Sequence, residues 1–283
     1  MSTPQELEKK ARSSAKSLFS FIFGSNSDEA QDLYNQAGNQ YKQLHQWKDA
    51  ARCFQEAANI GEKNKDMLFA ASNLVEASNA LLKFDSNSLD HVDPLIRATT
   101  IYNTQGRFAQ SGRILKKAAE HFEENSDPEN AIKFYKKAAE SFELDEYGKT
   151  SGSQCLLKFA DLSSLHPDLP SLKSNAYIDA IKIYEEEGKK NTRNSLLQYG
   201  VRDLFLKAGL LHILAVDITD ARIAHKKYIN TDPKFENSRE DKFLNGLIEA
   251  YEALDVAEFT KILRDYDGIS KLDPWKISIL SKV

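Results

Sequence analysis

The fold is decided in the stretch YNQAGNQYKQLHQWKDAARCFQEA, residues 34–57. Small and aromatic residues recur in it at helical spacing: Tyr34, Ala37, Gly38, Tyr41, Ala50, Phe54 and Ala57. Small side chains let two antiparallel helices approach closely, and aromatic side chains fill the groove one turn away. The stretch therefore predicts a helical hairpin.

The same pattern recurs along the chain. Gly38, Ser78 and Ala119 follow one another at 40 and 41 residues, close to the tetratricopeptide repeat length of about 34. The second copy lies in LVEASNALLK, 74–83, around Ala77 and Ser78. The third copy uses Leu115, Ala118, Ala119, Phe122, Ala131, Tyr135 and Ala138. A fourth, looser copy runs from Leu156 and Ala160 to Ala180 and Tyr184, with HPDLPSL between its helices.

The repeat signature fades near Asn191, although apolar residues keep a helical spacing beyond Arg202. They are Phe205, Ala208, Leu211, Phe243, Leu247 and Tyr251. A solenoid needs an end that covers its last apolar face, and period-two alternation is nearly absent. We therefore expect an all-α fold: a twisted right-handed solenoid of tetratricopeptide-like antiparallel hairpins over 1–190, and a C-terminal helical bundle over 191–283.

Composition narrows the functional classes. The chain has 283 residues, 42 acids against 38 bases and a net charge of −4, so it has no overall attraction for nucleic acid. Cys53 and Cys155 fall inside apolar helical patterns, which predicts reduced core thiols of a cytosolic protein. No apolar run approaches the roughly 18 residues that span a bilayer. We expect a cytoplasmic protein that associates peripherally with membranes.

Signals of catalysis are weak. GKT at 148–150 suggests a phosphate loop, but Glu143 stands where the earlier glycine is required. The histidines are far apart in sequence, without an HExxH pattern. No GxSxG is present either. We therefore predict no catalytic residues, no metal site and no cofactor.

One segment near the start is strongly apolar: Leu18, Phe19, Phe21, Ile22 and Phe23. Neighbouring residues of a helix point about 100° apart, so these side chains cannot all face one core. The segment, within a loop over 17–27, is predicted to insert partly into the acyl boundary of a membrane. The alternative is a loop that folds back onto the first hairpin.

Several segments carry a resemblance to a known family. They are SLFSFIFG (17–24), IYNTQGRF (101–108), CLLKFAD (155–161), LLQYGVRDLFLKAGLLH (196–212), SREDKFL (238–244) and YDGISKLDPW (266–275). In this order, and over essentially the whole chain, they resemble the alpha/beta branch of the soluble NSF attachment proteins.

The resemblance implies an adaptor for vesicle fusion and ER-Golgi transport. Such an adaptor is a monomer when free. It coats an assembled four-helix bundle of syntaxin-like and related SNAREs. It also recruits the hexameric AAA+ ATPase N-ethylmaleimide-sensitive factor, which disassembles that bundle.

The resemblance also implies a basic SNARE-binding face. Its residues are Lys83, Arg107, Arg113, Lys158 and Arg202. Cations spaced along a rigid surface would orient an acidic rod while tolerating many sequences. Gln154 departs from the family's pattern, which has a lysine there, and this weakens part of the face. The alternative for each residue is an ordinary solvated helix face.

A third surface is acidic. Between Asp232 and Asp267 stand 10 acids and 5 bases. The resemblance implies that Asp217, Glu249 and Glu252 meet basic residues of the ATPase, although Ala253 replaces a further acid of the family. A solvated helix is again the alternative.

The family's pattern continues past the tryptophan helix into an acidic tail, whereas the sequence given ends at Val283. We expect binding to survive and stimulation of the ATPase to be weaker. The runner-up function is a generic tetratricopeptide-like scaffold that grips an extended peptide in its groove.

Overall fold

The computed structural model describes residues 2–16, 25–172, 175–193, 198–215 and 217–283. Within these ranges the chain forms fourteen α-helices and no strand. The helices are α1 (Pro4–Lys16), α2 (Ser25–Gln43), α3 (Trp47–Lys63), α4 (Met67–Phe84), α5 (Val92–Thr104), α6 (Phe108–Glu124), α7 (Pro128–Glu143), α8 (Lys149–Leu165), α9 (Ala176–Asn191), α10 (Gln198–Ala215), α11 (Ile218–Thr231), α12 (Arg239–Glu252), α13 (Val256–Ile269) and α14 (Pro274–Leu280). The predicted all-α fold is confirmed.

Five interhelical turns share one geometry. Each has a residue with positive φ just after the helix: His45, Lys65, Gly106, Ser126 and Leu254. In the α3–α4 turn, the Lys65 amide donates to the Glu62 carbonyl at 3.1 Å and the Asp66 amide donates to the Gly61 carbonyl at 2.8 Å. This pair of bonds satisfies carbonyls that a helix end leaves free. The recurrence of one tight turn is what a repeat of helical hairpins requires.

The chain packs as two compact units. One runs to Leu115 and also holds Glu140–Gly148, while the other holds Lys116–Ala139 and Lys149–Val283. The division falls within α6 and α7. The domain boundary predicted near Asn191 stays a prediction, since these units are defined by packing and not by repeat type.

In the first unit, α1 to α5 form a ladder in which each helix packs on the next one. The predicted small residues permit this packing. A Cβ on Gly38 would lie 2.8 Å from the Phe54 ring, so a larger residue there would push α2 and α3 apart. Ala37, Ala50 and Ala57 are fully buried in the same core.

A buried carboxylate fastens α1 to the ladder. Glu8 accepts two hydrogen bonds from the Arg52 guanidinium, at 2.6 and 2.9 Å, and another from Arg12. The hydrogen bonds from Arg52 lower the pKa of Glu8 in spite of its burial. The N-terminal helix is therefore part of the packed unit.

In the second unit, α10 to α14 form the bundle that the sequence predicted. Here α10, α11 and α12 pack against one another, and α13 packs on α12. Phe205 stacks on Tyr228 with ring centroids 4.7 Å apart, and Phe235 meets both rings edge-on. This aromatic cluster forms the centre of the bundle.

The last helix closes the bundle. α14 packs on α8 and α10. The Trp275 indole donates to the Ser164 hydroxyl of α8 at 2.9 Å. Buried Lys276 pairs with Asp203 and Asp273, each at 2.6 Å. The YDGISKLDPW segment therefore ends in a structural anchor.

Candidate functional site

The predicted ATPase-binding acids lie at one end of the α11–α12 hairpin. Asp217 caps α11, where its carboxylate accepts from the Thr219 amide at 2.9 Å. Glu249 and Glu252 stand in the last turn of α12. The two helices run antiparallel, so the start of α11 meets the end of α12. We call Asp217, Glu249 and Glu252 the acidic end.

One acid of this group is already paired. Glu252 accepts two hydrogen bonds from the Arg222 guanidinium, one of them at 2.9 Å. The hydrogen bond from Arg222 holds the pKa of Glu252 below its ordinary value. Asp217 and Glu249 are exposed, and the structure gives neither a cationic partner among the described residues. They are the two acids of the group outside that ion pair, although the Asp217 carboxylate caps α11 and Glu249 accepts from the Asn245 amide at 2.9 Å.

Three of the predicted SNARE-binding residues belong to the first unit. Lys83 lies in the last turn of α4, Arg107 precedes α6, and Arg113 lies in the second turn of α6. All three are exposed. Over the described ranges none of them forms an ion pair, and the Arg113 Nε bonds only the Ala109 carbonyl. Their charges are free to meet an acidic partner.

The other two belong to the second unit and differ from each other. Lys158 donates to Glu123 at 2.7 Å, and the Tyr135 hydroxyl donates to the same carboxylate at 2.6 Å. Arg202 is half-buried, without an ion-pair partner in the part of the chain that the structure describes. Lys158 is thus partly neutralised, whereas Arg202 keeps its full charge.

A further cation escaped the sequence analysis. The Lys116 ammonium lies 3.2 Å from Oε1 of Gln154, the position where the family's pattern has a lysine. Lys116 of α6 therefore holds a cation beside Gln154, and the Glu120 carboxylate lies 3.9 Å from the same ammonium. The offset of 38 residues is close to the repeat length, so the repeat itself could have paired these two positions.

The predicted membrane segment, Leu18, Phe19, Phe21, Ile22 and Phe23, lies outside the described residues. Its flanks are described. α1 ends at Lys16, and α2 begins at Ser25. The Ser27 hydroxyl bonds Asn64 at 2.6 Å, which ties the start of α2 to the α3–α4 turn. Both flanking helices, α1 and α2, therefore belong to the ladder.

Comparison with known proteins identifies the family of this chain. The family model described as "Soluble NSF attachment protein, SNAP" matches residues 2–283. The chain belongs to the soluble NSF attachment protein family.

Individual members of the soluble NSF attachment protein family are similar along nearly the whole chain. The human alpha-soluble NSF attachment protein is 34% identical over 98% of this chain and 91% of its own length. The Saccharomyces cerevisiae alpha-soluble NSF attachment protein is 32% identical over 100% of this chain and 96% of its own. The vesicular-fusion protein SEC17 of Komagataella phaffii is 31% identical over 93% and 87%, respectively.

Cys53, Cys155 and Gly148 are the residues whose types could suggest catalysis, but each is buried in the packed structure. Burial raises the pKa of the Cys53 thiol to about 12 and that of Cys155 to about 11, which keeps both protonated. Gly148 of the GKT sequence ends a helix-to-helix turn, where a Cβ would lie 2.7 Å from the Phe142 carbonyl oxygen. Close packing thus explains this glycine.

The described ranges hold neither a cluster of metal ligands nor a membrane-spanning helix. No three or more His, Cys, Asp or Glu residues there are grouped so that they could hold a metal ion. None of the fourteen helices is both long and apolar enough to cross a membrane.

Proposed function

We propose that this chain is a vesicle-fusion adaptor that holds an assembled SNARE bundle and recruits the ATPase N-ethylmaleimide-sensitive factor. Membership of the soluble NSF attachment protein family over residues 2–283 carries this proposal. The relatives are named for attachment of that ATPase and for vesicular fusion. The charges of the described surfaces support the two binding roles separately.

The cations support the SNARE role. Lys83, Arg107, Arg113 and Arg202 have no internal ion pairs among the described residues, so binding an acidic rod would break none. Lys158 would have to share its charge with Glu123. We therefore propose that the first four contribute more to SNARE binding than Lys158 does.

The acidic end supports the ATPase role. Asp217 and Glu249 offer exposed carboxylates without ion pairs among the described residues, on a hairpin that the Arg222–Glu252 pair bridges. Exposed charge pairs are screened within about 8 Å at physiological ionic strength. Attachment through the acidic end should therefore weaken as salt rises.

The deciding experiment combines three components. A SNARE bundle is captured on a solid support, then the chain, the ATPase and ATP are added in turn. We expect the ATPase to be retained only when the chain is present, and ATP to release the SNAREs. Retention of the bundle without recruitment of the ATPase, or no retention of either, would contradict the proposal.

Matched variants then test each surface. Lys83→Glu with Arg107→Glu should reduce retention of the SNARE bundle, whereas Lys10→Glu, also an exposed lysine, should not. Glu249→Gln should reduce recruitment of the ATPase. Glu236→Gln, exposed at the opposite end of the same hairpin, should leave recruitment unchanged.

We also propose that the apolar segment contacts lipid. Replacing Phe19 and Phe23 by serine should reduce co-sedimentation with liposomes without lowering the melting temperature. Equal co-sedimentation would favour the loop that folds back. The generic peptide scaffold would instead bind an isolated peptide terminus as well as the folded bundle.

A further inference from the structure

The α12–α13 turn differs from its four counterparts in one residue. Its amides make the same bonds, from Leu254 to the Tyr251 carbonyl at 3.1 Å and from Asp255 to the Ala250 carbonyl at 2.9 Å. The positive-φ position elsewhere holds histidine, lysine, glycine or serine, but here it holds leucine at φ 53°. A non-glycine side chain in the left-handed region is disfavoured, and a leucine gains nothing from water.

The leucine is also the centre of an exposed apolar tip. Leu254 is 84% exposed, Val256 is 77% exposed and Tyr251 is 38% exposed. Helical spacing groups Tyr251 with Phe243 and Leu247, but only Phe243 and Leu247 are buried. Residues 251–258 are all exposed, so this turn projects from the bundle. We call Leu254 and Val256 the apolar tip.

Acids surround the apolar tip. The segments 217–222 and 249–261 hold six acids and two bases. Both bases are engaged, Arg222 with Glu252 and Lys261 with Glu258. An anionic membrane would be repelled by this charge. A protein surface with an apolar pocket rimmed by lysine and arginine would match both features.

We propose that the apolar tip inserts into an apolar pocket on the basic surface of the ATPase, so that Leu254 anchors a contact that the acidic end orients. The inference rests on the proposed function and adds a partner pocket to it. In such an arrangement the central apolar residue contributes much of the affinity, while the surrounding charges set the approach and the salt dependence.

Leu254→Asn and Val256→Thr test the proposal in the full chain. Asparagine tolerates positive φ, so Leu254→Asn should leave the melting temperature unchanged. In the proposed complex Leu254 is buried in the ATPase pocket, so removing this leucine should weaken binding of the ATPase about tenfold. The loss should be the same at low and high salt. Glu249→Gln should instead reduce the slope of affinity against salt.

Ile269→Thr is the matched control, because Ile269 is 73% exposed at the far end of α13. It should bind as the wild type does. Wild-type affinity of Leu254→Asn and Val256→Thr, with Glu249→Gln still impaired, would overturn this inference and leave the proposed function standing. A dimer of the free chain that Leu254→Asn abolishes would also overturn it, because the tip would then be covered by a second copy. Failure of the wild type to bind the ATPase would overturn both proposals.

Discussion

The ladder (α1–α5) and the bundle (α10–α14) bury similar residues but bring them together over different distances along the chain. In the ladder, Gly38 lies under Phe54 of the next helix. In the bundle, Gly209 lies under Leu244, and Trp275 bonds Ser164, 111 residues away. Local packing repeats in sequence, whereas distant packing does not. Close packing of helices on small residues therefore produces a repeat in the sequence of the ladder but not in that of the bundle.

The largest expected effect is on the closure of the bundle. Trp275→Ala removes the hydrogen bond to Ser164 and the Lys207 ammonium's contact with the indole ring, 4.9 Å from its centroid. It should destabilise the bundle by about 3–5 kcal/mol. Hydrogen exchange should show loss of protection in α8 and α10, with α2 and α3 of the ladder unchanged.

Ile277→Ala is the control for Trp275→Ala, since Ile277 is on the same helix but 54% exposed. It should change stability by less than about 1 kcal/mol. Equal loss of protection in the ladder would show that the two regions unfold as one cooperative unit. The ladder and the bundle would then differ in how they pack but not in their stability.

A half-buried carboxylate of α9, held by α10 and α11 of the bundle, makes the second unit sensitive to acid. Burial raises the pKa of Glu185, but hydrogen bonds from Lys227 and Tyr228, together with the nearby His212 imidazole, outweigh it and lower the pKa to about 2. A carboxylate with a depressed pKa stabilises the fold above its unfolded pKa and loses that effect as the pH falls through the folded value. The contribution at neutral pH is about 3 kcal/mol and should disappear between about pH 4.5 and pH 2.

Urea unfolding of Glu185→Gln at a series of pH values measures this contribution. The variant should be less stable than the wild type at pH 7, and the difference should shrink below pH 4.5. Glu186→Gln, an exposed neighbour, should follow the wild type throughout. A difference that did not depend on pH would mean that Glu185 acts through packing and not through its charge.

The corresponding carboxylate of the ladder is Glu8, and its effect should be local. Glu8→Gln weakens two hydrogen bonds from Arg52, which keeps a contact with Asp49 at 3.1 Å. We expect a loss of about 1–3 kcal/mol, visible as faster hydrogen exchange in α1. Glu6→Gln, exposed on the same helix, should have little effect. Slower folding of the whole ladder would contradict a local role.

The difference between the regions also explains what the sequence could predict. The hairpins were readable because Gly38, Ser78 and Ala119 stand one repeat apart and contact nearby helices. The contacts of the last helix could not be predicted from the sequence, because no local pattern links Trp275 to Ser164 of α8. Spacing alone predicts that Tyr251 joins the core, but α12 ends one residue later, at Glu252, and leaves Tyr251 exposed.

The sequence predicts which residues could form the candidate site, but it does not predict which of their charges are already paired within the protein. Family resemblance selected Lys158, but its pairing with Glu123 depends on a contact between two helices. The same kind of contact places Lys116 beside Gln154. The strained position of Leu254 could not be read from sequence, because nothing local distinguishes it from an ordinary exposed leucine at the end of a helix.

The smallest expected effect concerns Lys116, the cation that lies beside Gln154. We propose that Lys116 adds to the SNARE-binding face, and Gln154→Lys would then place two ammonium groups about as close as the present 3.2 Å contact. Their repulsion would move one toward the SNARE bundle and add a charge there. Exposed charges of this kind contribute less than about 1 kcal/mol, so we expect two- to threefold tighter binding at low salt and no gain at high salt.

Lys116→Gln should weaken binding by a similar factor, and Gln154→Met should be neutral, because it breaks the hydrogen bond without changing the charge. Unchanged affinity for both Gln154→Lys and Lys116→Gln would mean that SNARE binding does not reach this pair of helices.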